Sequence, residues 1–505
     1  MEKHLPLNLI TNILVFLLST LIGVFITPFL LRHLDTDGYG ILKLVMSLPM
    51  IITLFTLVIS GGISRFLSID LQKRNFLEAN ITFNSFFWGL TFIIIFISPI
   101  LIYFILNLTE YFDIPIAYSN TTKYLCVGIF LSSLFNIYST AFNIPAFSEN
   151  RLDIINYTKI FSLLTQNILI VLLLTHYSNH LLSIAFSYFV SGLLGLLLST
   201  YIWRKFSPEL ILNIKLITKN KIYELSRFGR WLIIDHLGTM LFIYLDLIII
   251  NVLLGSLATG EYSIPLQWQM LLKSLMFVFA AVVIPLIYRY YSNNNYKMLR
   301  QIAHSSIKYL SLIISIPIGI LCGFGSNFFT LWIGEEYLRL IPLLWLMIIP
   351  LLFSLPVTVL FYVNSAYNRI KIPALFTVFF GALHLITGII LIKYFNSGIY
   401  GLAISSSALF TFRNTIFTVM YTNKLLESSL INFYKNYIFG ICNFLLIIFL
   451  SSIIVIFIKI DNSWLLMFLS ILSVTIFSII FIYYLMLDIN EKEYLLKMLK
   501  RESSY

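Results

Sequence analysis

Apolar runs long enough to cross a bilayer recur from one end of this chain to the other. Residues 464–487, WLLMFLSILSVTIFSIIFIYYLML, pass without a single charge, and similar stretches begin near Asn8, before any polar domain has been reached. A hydrocarbon core needs roughly 20 apolar residues per helical span, and a lipid-exposed backbone must satisfy its own hydrogen bonds. Such runs therefore fold as membrane helices. The composition agrees: 59% of the 505 residues are hydrophobic and 11% are charged, against about 25% charged in soluble domains. The fold class expected is all-α, a polytopic membrane protein.

Fourteen spans are expected. They start near Asn8, Gly40, Ile81, Lys123, Ile154 and Leu181, then near Trp231, Tyr262, Ile307, Ile341, Ile372 and Ile399, and finally near Tyr437 and Trp464. The first run exceeds the apolar region of a signal peptide and lacks a small-residue cleavage site, so it reads as a retained span. With the N-terminus in the cytoplasm, about 25 of the 33 Lys and Arg fall on the cytoplasmic side. That bias is the positive-inside pattern. It accounts for the net charge of +11 without nucleic acid, and it places both termini inside.

The organisation expected is an N-terminal lobe at 1–203, a cytoplasmic amphipathic linker at 204–230 and a C-terminal lobe at 231–422. Two additional helices at 423–487 and a cytoplasmic tail at 488–505 follow. A short internal repeat supports the two lobes: LDTDGYGI at 34–41 and LATGEYSI at 257–264 share four positions, and both link the first two spans of a half on the outer face. Six spans per half is even, so the halves run in the same direction, related by an axis along the membrane normal.

Ionisable residues inside spans face a bundle interior or a wet cavity and mark transport pathways. Asp246 stands alone in FIYLDLIIINVLL, residues 242–254. It lies about nine residues from the outer end of span seven, about 13 Å deep at 1.5 Å rise per residue. Lys273 is at similar depth in span eight, so the two are expected to form an intramembrane ion pair, whether structural or for ion coupling. Asp235 shares the Asp246 face, and Tyr262, Gln269 and Lys273 share a face of span eight. Arg413 follows Ser405, Ser406 and Ser407 in span twelve; Arg65 follows Gly61 and Gly62 in span two and could instead snorkel to headgroups. His384 sits mid-span, where a hydrogen-bonded core histidine is the plainer reading, and Lys43 is near the outer interface. Cys126, Cys322 and Cys442 lie in separate runs with no metal-ligand spacing. No nucleophile, metal set or glycine-rich phosphate loop appears, so neither catalysis nor a cofactor is expected.

An ordered set of segments resembles the polysaccharide flippases of the multidrug/oligosaccharidyl-lipid/polysaccharide exporter superfamily. These are ITPFLLRHLDTDGYGI (26–41), VISGGISRFLS (58–68), LDLIIINVLLGSLATGEYSI (245–264), VIPLI (283–287) and FTLWIGEEY (329–337). The resemblance implies two six-helix lobes around a central cavity, with two extra C-terminal helices here. It implies a lipid-linked oligosaccharide cargo, an undecaprenyl-pyrophosphate repeat unit, in a bacterial cytoplasmic membrane. Membrane lipids and the glycosyltransferases and polymerase of the pathway would be its partners. The basic cavity residues of that family correspond to Arg65, Lys273 and Arg413. The rivals are a multidrug extruder, which calls for an acidic cavity, a membrane polymerase or ligase, which calls for a large outer loop, and a scaffold, which needs no buried charge.

Overall fold

The computed structural model describes residues 5–177, 179–458, 463–489 and 491–492; side chains at 5, 51, 55, 57–62, 65, 227–232, 235 and 243 stand outside that description. Among the described residues the secondary structure is helical and holds no strand. The long helices are α1 (Leu5–Ser47), α2 (Pro49–Gln72), α3 (Phe76–Leu106), α4 (Ser119–Ser148), α5 (Leu152–His176), α6 (His180–Phe206), α7 (Lys219–Ile243) and α8 (Leu245–Ser292). They continue with α9 (Tyr296–Gly323), the shorter α10 (Ile341–Ile348), α11 (Lys371–Phe395), α12 (Tyr400–Phe412), α13 (Leu430–Phe457) and α14 (Trp464–Phe481). Eleven helical stretches among the described residues are long and apolar enough to cross a membrane, two of them 49 and 57 residues long. Large apolar side chains point outward, as at Phe96 (79% exposed) and Phe457 (82%), where lipid rather than water would cover them.

The longer stretch is broken within α8. Gly255 has φ +90° and ψ −179°, a left-handed-side conformation that glycine alone adopts at little cost. Sixteen residues along a straight helix span about 24 Å, yet the Tyr262 hydroxyl donates to Asp246 Oδ2 at 2.7 Å. The chain therefore doubles back at Gly255, so this one stretch supplies two legs. A matching break in α1 stands at Asp35, φ 56°, whose carboxylate caps Gly38 N at 2.8 Å and accepts from Tyr118 Oη at 3.0 Å.

Contacts group the chain into two bodies: residues 1–263 with 377–385 and 392–399, and residues 264–376 with 386–391 and 400–505. In the first body the two repeat segments meet. A Cβ on Gly40 would lie 2.1 Å from Ser256 O, and one on Gly260 would lie 2.1 Å from Thr36 O. Thr36-x-x-x-Gly40 and Ser256-x-x-x-Gly260 are thus a pair of small-x-x-x-small faces in backbone contact, the way membrane helices pack most closely. Asp37 accepts a hydrogen bond from Ser256 Oγ across the same contact. The N-terminal end of α1 is tied down too: Asn8 Nδ2 donates to Asn150 O at 2.8 Å, and Asn8 Oδ1 accepts from Asp153 N at 2.9 Å.

In the 204–230 connection, α6 runs on to Phe206, and a short 3-10 turn forms at Ile214–Leu216. The helix that follows is the opening of α7, started by Thr218 as N-cap, rather than a separate surface helix. Asn80 and Asn84 of α3 hold the stretch between by donating to Glu209 O and Ile211 O at 3.0 and 2.8 Å. In the second body, α13 lies along α9, with Gly319 against Ile447 and Gly440 against Ser311. Asn443 bridges α13 to both neighbours, donating to Ser315 Oγ at 2.8 Å and accepting from Ser478 Oγ at 2.9 Å.

Candidate functional site

Asp246 is 1% exposed. It accepts from Tyr262 Oη at 2.7 Å, and its other oxygen is 2.7 Å from His384 Nε2. His384 is fully buried and stacks flat on Phe242, with ring centroids 5.5 Å apart and planes 4° from parallel. These groups all belong to the first body. The carboxylate is thus satisfied at both oxygens by a phenol and an imidazole, as burial of such a group requires.

Within its own body Asp246 thus has Tyr262 and His384 as its hydrogen-bond partners. Depth along the axis fixes one coordinate of a side chain. The fold-back at Gly255 and the direction each side chain faces fix the others, and they bring Tyr262 to Asp246. In the second body Lys273 Nζ donates to Gln269 Oε1, one turn earlier, at 3.2 Å. His384, expected as a core histidine, proves to be an acid's partner. Its mid-span position was the legible signal; the acid it meets lies 138 residues away along the chain.

Two of the basic candidates, Lys273 and Arg413, lie in the second body. Lys273 Nζ lies 4.9 Å from the centroid of the Phe410 ring, within cation–π range, and Gln269 Nε2 donates to Met347 O at 3.4 Å. Phe410 is on α12, one turn before Arg413. Lys273 therefore meets, at Phe410, the same stretch of chain that carries Arg413. Arg413 is 7% exposed and opens a π-helical turn, Arg413–Thr418, a distortion frequent at functional sites. Its guanidinium lies 4.8 Å from the Phe361 centroid, and Nη1 donates to Asn414 Oδ1 at 2.9 Å. Asn414 in turn donates to Ser354 O at 3.1 Å, which fixes the amide that faces the guanidinium. Two cations held against aromatic faces, with amides beside them, suit an anion that brings an apolar or sugar portion with it. Phe361, Phe410 and Asn414 were missed in the sequence, where one Phe among 45 carries no mark of its place.

Lys43 stays within α1, half-buried, its ammonium 5.0 Å from the Tyr39 ring centroid. The side chains of Arg65 and Asp235 lie outside the described residues. Among the described residues no group of three or more His, Cys, Asp and Glu could hold a metal ion.

With this geometry in view, the family of polysaccharide biosynthesis proteins matches residues 7–291. The chain belongs to that family. A relative of this polysaccharide biosynthesis protein, the uncharacterized membrane protein EpsK of Bacillus subtilis (strain 168), is 24% identical over 422 residues, covering 83% of each chain. Among solved structures, the lipid II flippase MurJ in an inward closed conformation has a TM-score of 0.61 at 16% identity, covering 95% of this chain and 99% of that one. The MATE multidrug transporter DinF-BH has a TM-score of 0.62 at 18% identity, covering 86% and 98%. The chain is a multi-pass membrane protein, and it shares the fold of these solved flippase and multidrug transporter structures.

Proposed function

We propose that this polysaccharide biosynthesis protein is a flippase. Its cargo would be an undecaprenyl-pyrophosphate-linked oligosaccharide repeat unit, moved by alternating access from the inner to the outer leaflet of a bacterial cytoplasmic membrane for surface polysaccharide assembly. Both termini would be cytoplasmic, and the glycosyltransferases and polymerase of the pathway would be its partners. The observation that carries the reading is that Lys273 meets, at Phe410, the same stretch of chain that carries Arg413, with aromatic and amide neighbours. Guanidinium and ammonium groups bind phosphate oxygens through charge-assisted hydrogen bonds, and low polarity around them strengthens the attraction. Arg65, the third basic position, belongs to the same proposal, with Gln269 as the positioning partner of Lys273. Asp235 and Lys43 are lesser candidates. An anion moving outward runs with the membrane potential, worth about 2.3 kcal/mol per charge per 100 mV.

The buried acid gives a second reading some support, since cationic drug cargo calls for a carboxylate. Asp246, however, spends both oxygens on Tyr262 and His384, which suits a structural or proton-carrying group better than a drug-binding one. The deciding experiment uses cells lacking the gene. The flippase reading expects surface polysaccharide to vanish while its lipid-linked repeat accumulates on the cytoplasmic leaflet. Lys273→Ala and Arg413→Ala chains, inserted at normal levels, would each fail to restore export. Arg413→Lys would also be impaired, because lysine cannot supply a bidentate fork. Normal polysaccharide with raised sensitivity to cationic drugs would overturn the reading.

A further inference from the structure

The first body also holds a polar cavity separate from the Asp246 cluster. Its volume is about 490 Å³, and it opens among α4, α5 and α6, with Met46 and Pro49 at the α1–α2 junction closing one side. That volume falls within the range of about 300–1,000 Å³ typical of small-molecule sites. Its walls are unusual for a helix bundle in lipid. Ser132, Asn136, Asn143, Ser162, Gln166 and Tyr188 all face it, and Asn136 stands near the middle of α4. Among the described residues the one charged lining group, Lys159, is exposed, and no carboxylate lines the cavity.

Many hydroxyls in membrane helices are silent because they bond the carbonyl one turn back, as Ser139 does to Phe135 O at 2.8 Å. Several lining groups here are not used in that way. Among the described residues Asn143 Oδ1 is buried without a hydrogen-bond partner, although buried polar atoms are nearly always paired. Gln166 takes a long contact, 3.4 Å, from Ser191 Oγ and shares a side-chain hydrogen bond with Tyr188 across the cavity wall. A membrane-embedded cavity with such walls is stable when water or a polar ligand supplies the missing bonds. Amides and hydroxyls without a fixed charge match a ligand that is itself neutral and rich in hydroxyls, and Tyr188 adds a ring edge for its apolar face.

We infer that this cavity is a carbohydrate subsite: it takes the neutral sugar portion of the cargo through Asn136, Asn143, Gln166 and the serines around them. The inference rests on the flippase reading and deepens it by assigning sugar recognition to residues separate from the basic cluster.

The test uses the full chain, purified in detergent, and two probes: bare undecaprenyl pyrophosphate, and the lipid-linked saccharide fraction extracted from the cells that make the polysaccharide. The parent chain should retain the saccharide lipid better than the bare lipid. Asn136→Leu combined with Asn143→Leu should weaken retention of the saccharide lipid about tenfold, the effect of one or two lost hydrogen bonds, and leave bare-lipid retention unchanged. Unchanged bare-lipid retention also shows that the variant is folded, and Asn136→Ser, which replaces the amide with a hydrogen-bonding hydroxyl, should stay close to the parent. Equal weakening of both probes would assign the cavity to the shared lipid-pyrophosphate portion and overturn the inference. No weakening of either, or a parent chain that does not distinguish the probes, would overturn it as well. A parent chain that retains neither probe would overturn the flippase reading itself, and this inference with it.

Discussion

At the scale of single residues, Asp246 shows how a charge is kept inside a membrane helix bundle. Its two partners are themselves buried, so removing any one member strands the others. Asp246→Ala should lower stability by about 3–5 kcal/mol, the range for breaking a buried pair by deleting one side, and His384→Leu should come close to it. Unfolding midpoints of the purified variants check this, and a double variant that falls no further than either single one would show that the two act as a unit. In the middle of α9, Lys308 donates to Glu491 Oε2 at 2.8 Å and Tyr309 to Glu491 Oε1 at 2.6 Å. Burial pushes the Glu491 carboxyl up, but the bonds from Lys308 and Tyr309 outweigh it and hold the group below its ordinary value. A carboxyl depressed in the folded state contributes attachment that is present above its unfolded value and lost as pH falls through the folded one. Attachment of the segment around Glu491 should therefore persist at neutral pH and weaken below about pH 4. A spin label near Asp488 would report that release, and a Glu491→Gln chain should be loose at all pH values.

At the scale of elements, the crossing of the two repeat segments is the most exacting contact in the first body. Gly40→Ala would place a methyl group 2.1 Å from Ser256 O, so the helices must part. Overpacking of this kind costs about 1–3 kcal/mol. The expected outcome is a lower unfolding midpoint and reduced steady-state level; an unchanged midpoint would show that the crossing is looser than its geometry implies. The repeat was visible as four matching positions, but nothing in those letters said that the copies touch each other. That follows from two small residues four apart in or beside each copy, Thr36 and Gly40, Ser256 and Gly260, each set offering a backbone face to the other. The helices after residue 423 add polar ties to such close approaches: α13 meets α9 at Gly440 and Gly319, and Asn443 of α13 bonds Ser315 of α9 and Ser478 of α14.

At the scale of the whole molecule, the distribution of Lys and Arg is the most informative property of the chain. With about 25 of 33 on one side of the expected topology, single cysteines introduced at Asn150 and Asn368 should react only with membrane-permeant reagents. Cysteines at Asp113 and Glu335 should react with impermeant ones added outside. The reverse pattern would invert the proposed orientation and, with it, the direction in which the basic residues could meet cargo. Expected spans also translate unevenly into helices. The 57-residue stretch His236–Ser292 contains two legs because Gly255 turns the chain back. The region from Tyr400 to Leu426 is instead interrupted by the π-turn at Arg413.

Composition and run length alone determined that this chain is helical and spans a membrane many times, because lipid offers a backbone no other partner. They also marked Lys273, Arg413 and Asp246 as residues needing an explanation, since a charge in an apolar run has a cost that does not depend on the fold. Which groups meet those charges was decided only by the tertiary structure. Sequence position gives depth along a helix and leaves facing direction open. Facing direction and the reversal at Gly255 put Tyr262 and His384 at Asp246, and Phe410 and Gln269 at Lys273. His384 comes from 138 residues away, and no local period could have connected it to the acid it serves.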